Sequence, residues 1–427
     1  MHVAESFDVI VIGGGPAGAT TAAVLAQHGR RVLVLEKDHF PRYHVGESLM
    51  PYCWFVLNRI GVVETINKTS FPKKYSVQFA TTTGRVSQPF YFFEHWDHPA
   101  AVTWQVVRSD FDKILLDRAE ELGAIVRFGA KAKEILRNEA GKVIGVRVET
   151  DTEQSYEVHA PITVDATGRD ALAASRNHWR VKDPVLNKIS IWTYYKGAHR
   201  DAGLDEAATT IAYLPEKGWF WYIPLPDDVV GVGVVAEKDY LFTDTRDKNA
   251  ILEREAAKNP WVAERLVGAT QFGPTWATGD FSYRSEYCSD DGLVLVGDAF
   301  AFLDPVFSSG VYLALKSGEI AADIIHEALS DGDYSAAKFT DYGEQMCTAI
   351  ETMRALVYAF YQEDFSMKDV VTRCPEVKGD LVDCLIGDLV RDFTKLCHAV
   401  GEFAALPDHL PHGRPRPTRE SEAVVTR

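Results

Sequence analysis

The chain has 427 residues, 46% of them hydrophobic and 25% charged, with a formal net charge of −16. That composition is globular and calls for two or three packed units; the acidic excess argues against nonspecific nucleic-acid binding. No apolar run is long enough to span a bilayer and the first strand begins too early to leave room for a signal peptide, so we expect a cytoplasmic protein without a membrane anchor.

The predicted elements begin with Phe7 to Ile12, an apolar, β-branched run that suits a strand buried on both faces. Gly13-Gly14-Gly15-Pro16-Ala17-Gly18 follows and satisfies G-x-G-x-x-G. A helix opens at Ala17 and ends at Gly29, and Val32 to Leu35 is a second strand closing on Glu36. Gly13 permits the tight turn, Gly15 lets the backbone approach a pyrophosphate, and Gly18 lets the helix press on the strand. Glu36 suits ribose hydroxyls and would repel a 2′-phosphate. This unit alone does not separate FAD from NAD.

Next come His44-Val45-Gly46-Glu47-Ser48 and Phe71-Pro72-Lys73-Lys74. Residues 76–104 alternate polar and apolar with many aromatics, and Arg108 stands ahead of a helical stretch from Phe111 to Leu122. Strands are expected near Ala124 to Phe128 and Val143 to Glu149, then Val164-Asp165-Ala166-Thr167-Gly168 at a strand end. Residues 188–240 read as an antiparallel sheet, including Trp219-Phe220-Trp221-Tyr222-Ile223-Pro224 and Val229 to Val235. Strand periodicity puts Trp219 and Trp221 on one face and Phe220 and Tyr222 on the other.

The strand Gly292 to Val296 leads into Gly297-Asp298-Ala299, then Asp304-Pro305-Val306-Phe307-Ser308-Ser309-Gly310 and a helix from Val311 to Leu329. Residues 346–405 look helical and carry the aromatic patch Tyr358-Ala359-Phe360-Tyr361. From Pro407 the proline- and charge-rich sequence suggests a mobile tail. The six cysteines, Cys53, Cys288, Cys347, Cys374, Cys384 and Cys397, form no C-x-x-C; we read them as reduced thiols and find no metal-site pattern.

Together, Gly13 to Gly18, His44 to Ser48, Phe71 to Lys74, Trp219 to Pro224 and Asp304 to Gly310 resemble the flavin-dependent halogenases of the FAD monooxygenase superfamily. The resemblance covers residues 6–330 and implies an α/β, glutathione-reductase-like FAD-binding fold with an antiparallel-sheet substrate layer and a helical C-terminal region. It divides the chain into a discontinuous FAD domain (1–75, 105–170 and 275–345), a sheet domain (76–104 and 171–274), a helical region (346–405) and a tail (406–427).

By motif position the expected cofactor set is Gly13, Gly15, Ala17, Gly18, Glu36, Lys37, Arg42, Ser48, Arg108, Asp298, Pro305 and Gly310. In that family reduced FAD and O2 convert halide to hypohalous acid, which travels through a tunnel to a lysine near the substrate. The resemblance gives the lysine role to Lys74, with Lys73 as its exposed neighbour, and makes Trp219 and Trp221 the barrier between flavin and substrate. It places chloride or bromide at Ser308, Ser309 and Gly310, and gives Glu47 and His44 positioning roles. Phe307 departs from the free-tryptophan halogenases, which carry glutamate there, and points to a more electron-rich phenol or pyrrole, free or held on a carrier protein. A basic patch including Arg354 or Arg391 would dock such a carrier.

No separate nicotinamide-binding fingerprint is present, so FADH2 is expected from a separate flavin reductase. The competing readings are a direct FAD hydroxylase, a reductase of the geranylgeranyl-reductase type, whose aromatic motif ends in Phe-Pro, and a non-catalytic flavoprotein.

Overall fold

The computed structural model describes residues 5–215, 218–279 and 282–417; residues 418–427 of the expected tail lie outside them. A seven-stranded sheet runs in the order Arg414–Pro415, Tyr287–Asp290, Leu293–Leu295, Ile162–Asp165, Val9–Ile12, Val32–Leu35, Ile125–Arg127. Its last five strands are parallel. Val9 and Val11 join a core that includes Ala19, Ala22 and Ala23 of the fingerprint helix Pro16–Gln27. Ile10 and Ile12 join a second core with Val146, Val148 and Val158 of a four-stranded sheet. Burial on both faces explains why this strand reads as an unbroken apolar run.

The fingerprint helix is pressed hard onto its turn. A Cβ at Gly18 would lie 1.9 Å from the Gly13 carbonyl oxygen, so only glycine fits there. The long helix Gly310–Asp331 packs on the other side, with Thr21 Oγ1 donating to Gly318 O at 3.3 Å. Arg108 lies inside the helix Arg108–Glu121 rather than ahead of it.

A second seven-stranded sheet runs Thr270–Thr278, Lys188–Lys196, Val229–Glu237, Trp219–Pro224, Thr209–Tyr213, Ser76–Ala80, Phe90–Tyr91. It is not wholly antiparallel as expected: Ser76–Ala80 pairs in parallel with Thr209–Tyr213. Those two strands are far apart in sequence and need no hairpin between them. The outer face packs Phe220, Tyr222, Val230, Val232 and Val234 against Ile251 and Leu252 of the helix Lys248–Ala256.

The segment expected to be a mobile tail from Pro407 is tied down through Arg416. Arg284 donates to Leu410 O, Arg354 to Asp408 O, and Arg414–Pro415 adds an edge strand beside Tyr287–Asp290. Backbone pairing outweighs the proline-rich composition here. Among the described residues no helix is long and apolar enough to cross a membrane.

Candidate active site

A cavity of about 430 Å³ runs from the fingerprint turn to the tryptophan strand. At one end it is lined by Gly13, Gly15, Ala17, Glu36, Lys37 and Arg42, with Ala166, Thr167 and Gly168 beyond. Gly15 caps the fingerprint helix with no side-chain hydrogen bond, which leaves helix N–H groups free for an anion. A Cβ on Gly15 would meet only Arg42 Nη2, at 3.4 Å, so the backbone is bare toward the cavity. This cradle fits a dinucleotide pyrophosphate. Glu36 is held beside it by Gly14 N–H at 2.8 Å and Asp38 N–H at 2.9 Å. Arg42 is paired with Asp112 at 3.0 Å, and Lys37 with Asp170 at 2.5 Å.

At the other end Glu47, Ser48, Arg108, Asp298, Pro305, Ser308 and Gly310 line the wall with Trp219 and Trp221. Arg108 is fixed by two bonds to Asp112 and one to Val45 O. Loss of water around the half-buried Asp298 pushes its carboxyl up to about 6 against the opposing pull of Arg108 and Arg169. Ser308 adopts a left-handed backbone, φ 55°, two residues before the long helix begins.

Trp219 and Trp221 project toward the cofactor side, while Phe220 and Tyr222 pack behind the sheet. The indoles lie 6.0 Å apart, centre to centre. Trp221 sits over Gly233 of the neighbouring strand, where a Cβ would lie 2.2 Å from Trp221 Cζ2 and 2.5 Å from Trp192 Cβ. The missing side chain at Gly233 is the space that Trp221 fills.

Lys73–Lys74 is a short strand paired with Thr103–Trp104, and its alternation turns Lys73 outward and Lys74 inward. Lys74 is 2% exposed and does not line the cavity directly. Its ammonium donates to Ser48 Oγ at 2.8 Å and Leu49 O at 3.2 Å, and lies 5.6 Å from the Phe92 ring centre. Ser48 Oγ also bonds Thr209 Oγ1 at 2.8 Å, and both residues stand in the cavity wall. One layer of hydroxyls therefore separates the amine from the cavity. Burial pulls Lys74 down to about 7, with the Cys53 thiol opposing.

The family model described as tryptophan halogenase matches residues 8–97 and 85–368. This chain belongs to that family. A 1H-pyrrole-2-carbonyl-peptidyl-carrier-protein chlorinase of Pseudomonas fluorescens is 32% identical over 435 aligned residues, 96% of each chain. The corresponding brominase of Pseudoalteromonas luteoviolacea is 31% identical, covering 89% of this chain and 93% of the relative. Among solved structures, flavin-dependent brominase Bmp2 superposes with a TM-score of 0.85 at 27% identity, covering 93% of this chain and 99% of that one. The protein is an FAD-dependent halogenase, an oxidoreductase that uses FADH2 with halide, on the glutathione-reductase-like fold.

Several expected site residues of the halogenase lie behind the wall. Gly18 packs inside the turn, and Ser309 and Lys74 are buried next to wall residues. Ser309 stands at the N-cap position of the long helix, and its side chain makes no capping bond. Asp165, at its strand end, is drawn into its own turn by Thr167 and Ala173. His44 lines the wall, and loss of water around its ring, together with Arg42 and Arg108, lowers it to about 4. Phe307 packs edge-on against Phe360, with centres 5.9 Å apart.

Three groups escaped the sequence reading. Tyr361, seen only as part of an aromatic patch, accepts from Trp219 Nε1 at 2.9 Å and donates to Asp304 Oδ2 at 2.8 Å. Asp304 in turn caps the turn Pro305–Phe307 through Val306 N–H, so one hydroxyl ties the indole to the serine loop. Gln105 donates to Thr209 Oγ1 at 2.8 Å behind the lysine. Tyr194 donates to Glu47 Oε1 at 2.8 Å. No local motif signals these residues, because each partner lies more than fifty positions away.

The basic docking patch is absent at both expected positions. Arg354 is 3% exposed and paired with Asp183 and Glu351. Arg391 is surrounded by Asp380, Asp383 and Asp388. An acidic chain neutralises these guanidiniums internally, so neither offers free charge to a partner.

Proposed function

We propose that the cavity holds FAD, delivered reduced by a separate flavin reductase, and that the oxidised halogen passes from it to Lys74 for transfer to a pyrrole or other electron-rich ring on a carrier protein. The observation that carries this reading is the buried amine behind Ser48 and Thr209, on the far side of the wall that Trp219 and Trp221 complete. Reduced FAD, when bound, supplies two electrons which, with O2, turn chloride or bromide into hypohalous acid.

The chain's own residues do the rest. Gly13, Gly15 and the fingerprint helix N-terminus hold the phosphates, and Glu36 the ribose. N–H groups at Ser308 to Gly310 offer halide donors without a competing carboxylate. The paired indoles keep an organic ring off the flavin. Lys74, balanced near neutrality, presents either an ammonium that hydrogen-bonds the oxidant or an amine that carries the halogen.

The ring class rests on Phe307, which leaves no carboxylate at a position where an indole halogenase uses one, and on the two carrier-protein relatives. The separate reductase rests on the single fingerprint. Six free thiols support a reducing, cytoplasmic setting.

The test is turnover with FADH2, O2 and chloride or bromide, on a pyrrolyl thioester attached to a carrier and on the same pyrrole free. Mass spectrometry reads the halogen isotope pattern. Halogenation confined to the thioester is expected. Equal turnover of the free ring would remove the carrier, and an oxygenated product without halogen would replace the reading with direct hydroxylation.

A further inference from the structure

A line of hydrogen bonds leaves the cavity through groups that halogen transfer does not use. Trp192 Nε1 donates to Tyr43 Oη at 2.7 Å, the Tyr43 and Tyr194 hydroxyls are 2.9 Å apart, and Tyr194 donates to Glu47 Oε1 at 2.8 Å. A phenol has one proton. Tyr194 spends its proton on Glu47, so Tyr43 must donate to Tyr194, and the direction of the whole line is fixed. Its inner end, Glu47, is 5% exposed and lines the cavity; its outer end, Tyr43, is 42% exposed and stacks on Trp276 at 4.6 Å.

Halide oxidation consumes a proton. One FADH2, one O2, one halide and one proton give FAD, one hypohalous acid and one water. Two electrons come from the flavin and two from the halide, and all four go to O2. Halogenating the ring returns no net proton, because the displaced hydrogen leaves in water. Each turnover therefore draws one proton into the cavity.

We propose that Tyr43, Tyr194 and Glu47 form a proton relay that carries this proton from solvent to the cavity. Glu47 releases its carboxyl proton inside. Tyr194 passes its hydroxyl proton to Glu47 and takes the one from Tyr43, which is refilled by water. No covalent change remains after the cycle. The inference rests on halide oxidation taking place in this cavity.

The surroundings of Glu47 suit the task. Burial pushes it up to about 7, against Tyr194 and the Arg108 guanidinium. Arg108 comes from the helix Arg108–Glu121 and faces Asp298 as well; Tyr43 and His44 lie on Glu47's own loop; the strand Val229–Glu237 brings the uncharged Gly231 beside it, where a Cβ would lie 3.2 Å from Oε2. An acid near neutrality both releases and recovers a proton readily.

Two measurements test the relay. The reduced holoenzyme is mixed with oxygenated bromide and a pH indicator in weak buffer, in H2O and in D2O. Tyr194→Phe is expected to slow proton uptake by about 10²-fold and raise the solvent isotope effect; Tyr43→Phe, which removes one partly exposed hydroxyl, should do the same in weaker form. Uptake at the parent's rate in both variants would overturn the relay. So would a fall in halogenation with proton uptake intact, since the hydroxyls would then only position Glu47. The second measurement uses the cofactor-free protein. The infrared carbonyl band of protonated Glu47, identified by its loss in Glu47→Gln, should exchange into D2O faster in the parent than in either tyrosine variant. Equal exchange would overturn the relay whether or not halide is oxidised, and normal exchange without hypohalous acid would fault the functional reading instead.

Discussion

The two ends of the cavity are built on different plans. At the fingerprint end the working groups are backbone N–H groups and bare glycine surface, supplied by residues contiguous in the chain. At the lysine end they are side chains, Ser48, Lys74, Gln105 and Thr209, drawn from separate elements and joined by hydrogen bonds of 2.8 Å. A turn of backbone tolerates changes around it as long as its shape survives. A chamber of side chains depends on every neighbour that holds the elements in register.

Substitution at the two ends should therefore fail differently. Lys74→Ala is expected to cut halogenated product by about 10²–10⁴-fold while FAD binding and O2 consumption continue; Gly15→Val should instead abolish FAD retention. Product isotope patterns and flavin absorbance after gel filtration separate the two. Equal halogenation by Lys74→Ala would leave the amine without its role.

Gly233→Ala tests the wall between the ends. The new methyl group collides with Trp221 and Trp192, and such overpacking costs about 1–3 kcal/mol. Thermal unfolding should show the loss, and O2 consumption should rise relative to halogenated product as the indole moves.

Tyr361→Phe removes a single oxygen that ties Trp219 to the serine loop. It leaves a buried indole N–H and a carboxylate each short of one partner, a cost of about 1–3 kcal/mol. Asp304, already pushed up to about 6 by burial with Tyr361 opposing, should rise further. Halide KM is expected to increase more than kcat falls, while FAD affinity holds; an unchanged halide KM would break the link.

The smallest expected effect concerns Glu47. Its folded value, about 7, lies above its ordinary 4.5, so the native state binds more protons than the unfolded chain between those values. Stability from this group falls as pH rises through that window, and its cost is complete above about 7. Cofactor-free Glu47→Gln should melt above the parent at pH 8, and the gap should shrink by pH 5.

The fingerprint turn and the alternation of Trp219 to Pro224 were legible because each follows from spacing along one segment: glycines where backbones touch and period two in a strand. The inward turn of Lys74 was implied by the family resemblance alone, since two adjacent lysines read by themselves as surface charges. The parallel pairing of Ser76–Ala80 with Thr209–Tyr213, the anchoring of the chain as far as Arg416, and the neutralised Arg354 and Arg391 were not legible.

The amino-acid order by itself determined the cofactor turn and the facing of the tryptophans, since those depend on local backbone geometry and short-range periodicity, and its motifs carried the resemblance to the family. Only the tertiary structure decided which hydroxyls meet Lys74, which phenol bridges Trp219 to Asp304, and which tyrosines reach Glu47. Those bonds join residues tens to hundreds of positions apart, and their partners are chosen by how the sheets and helices pack, which no local pattern encodes.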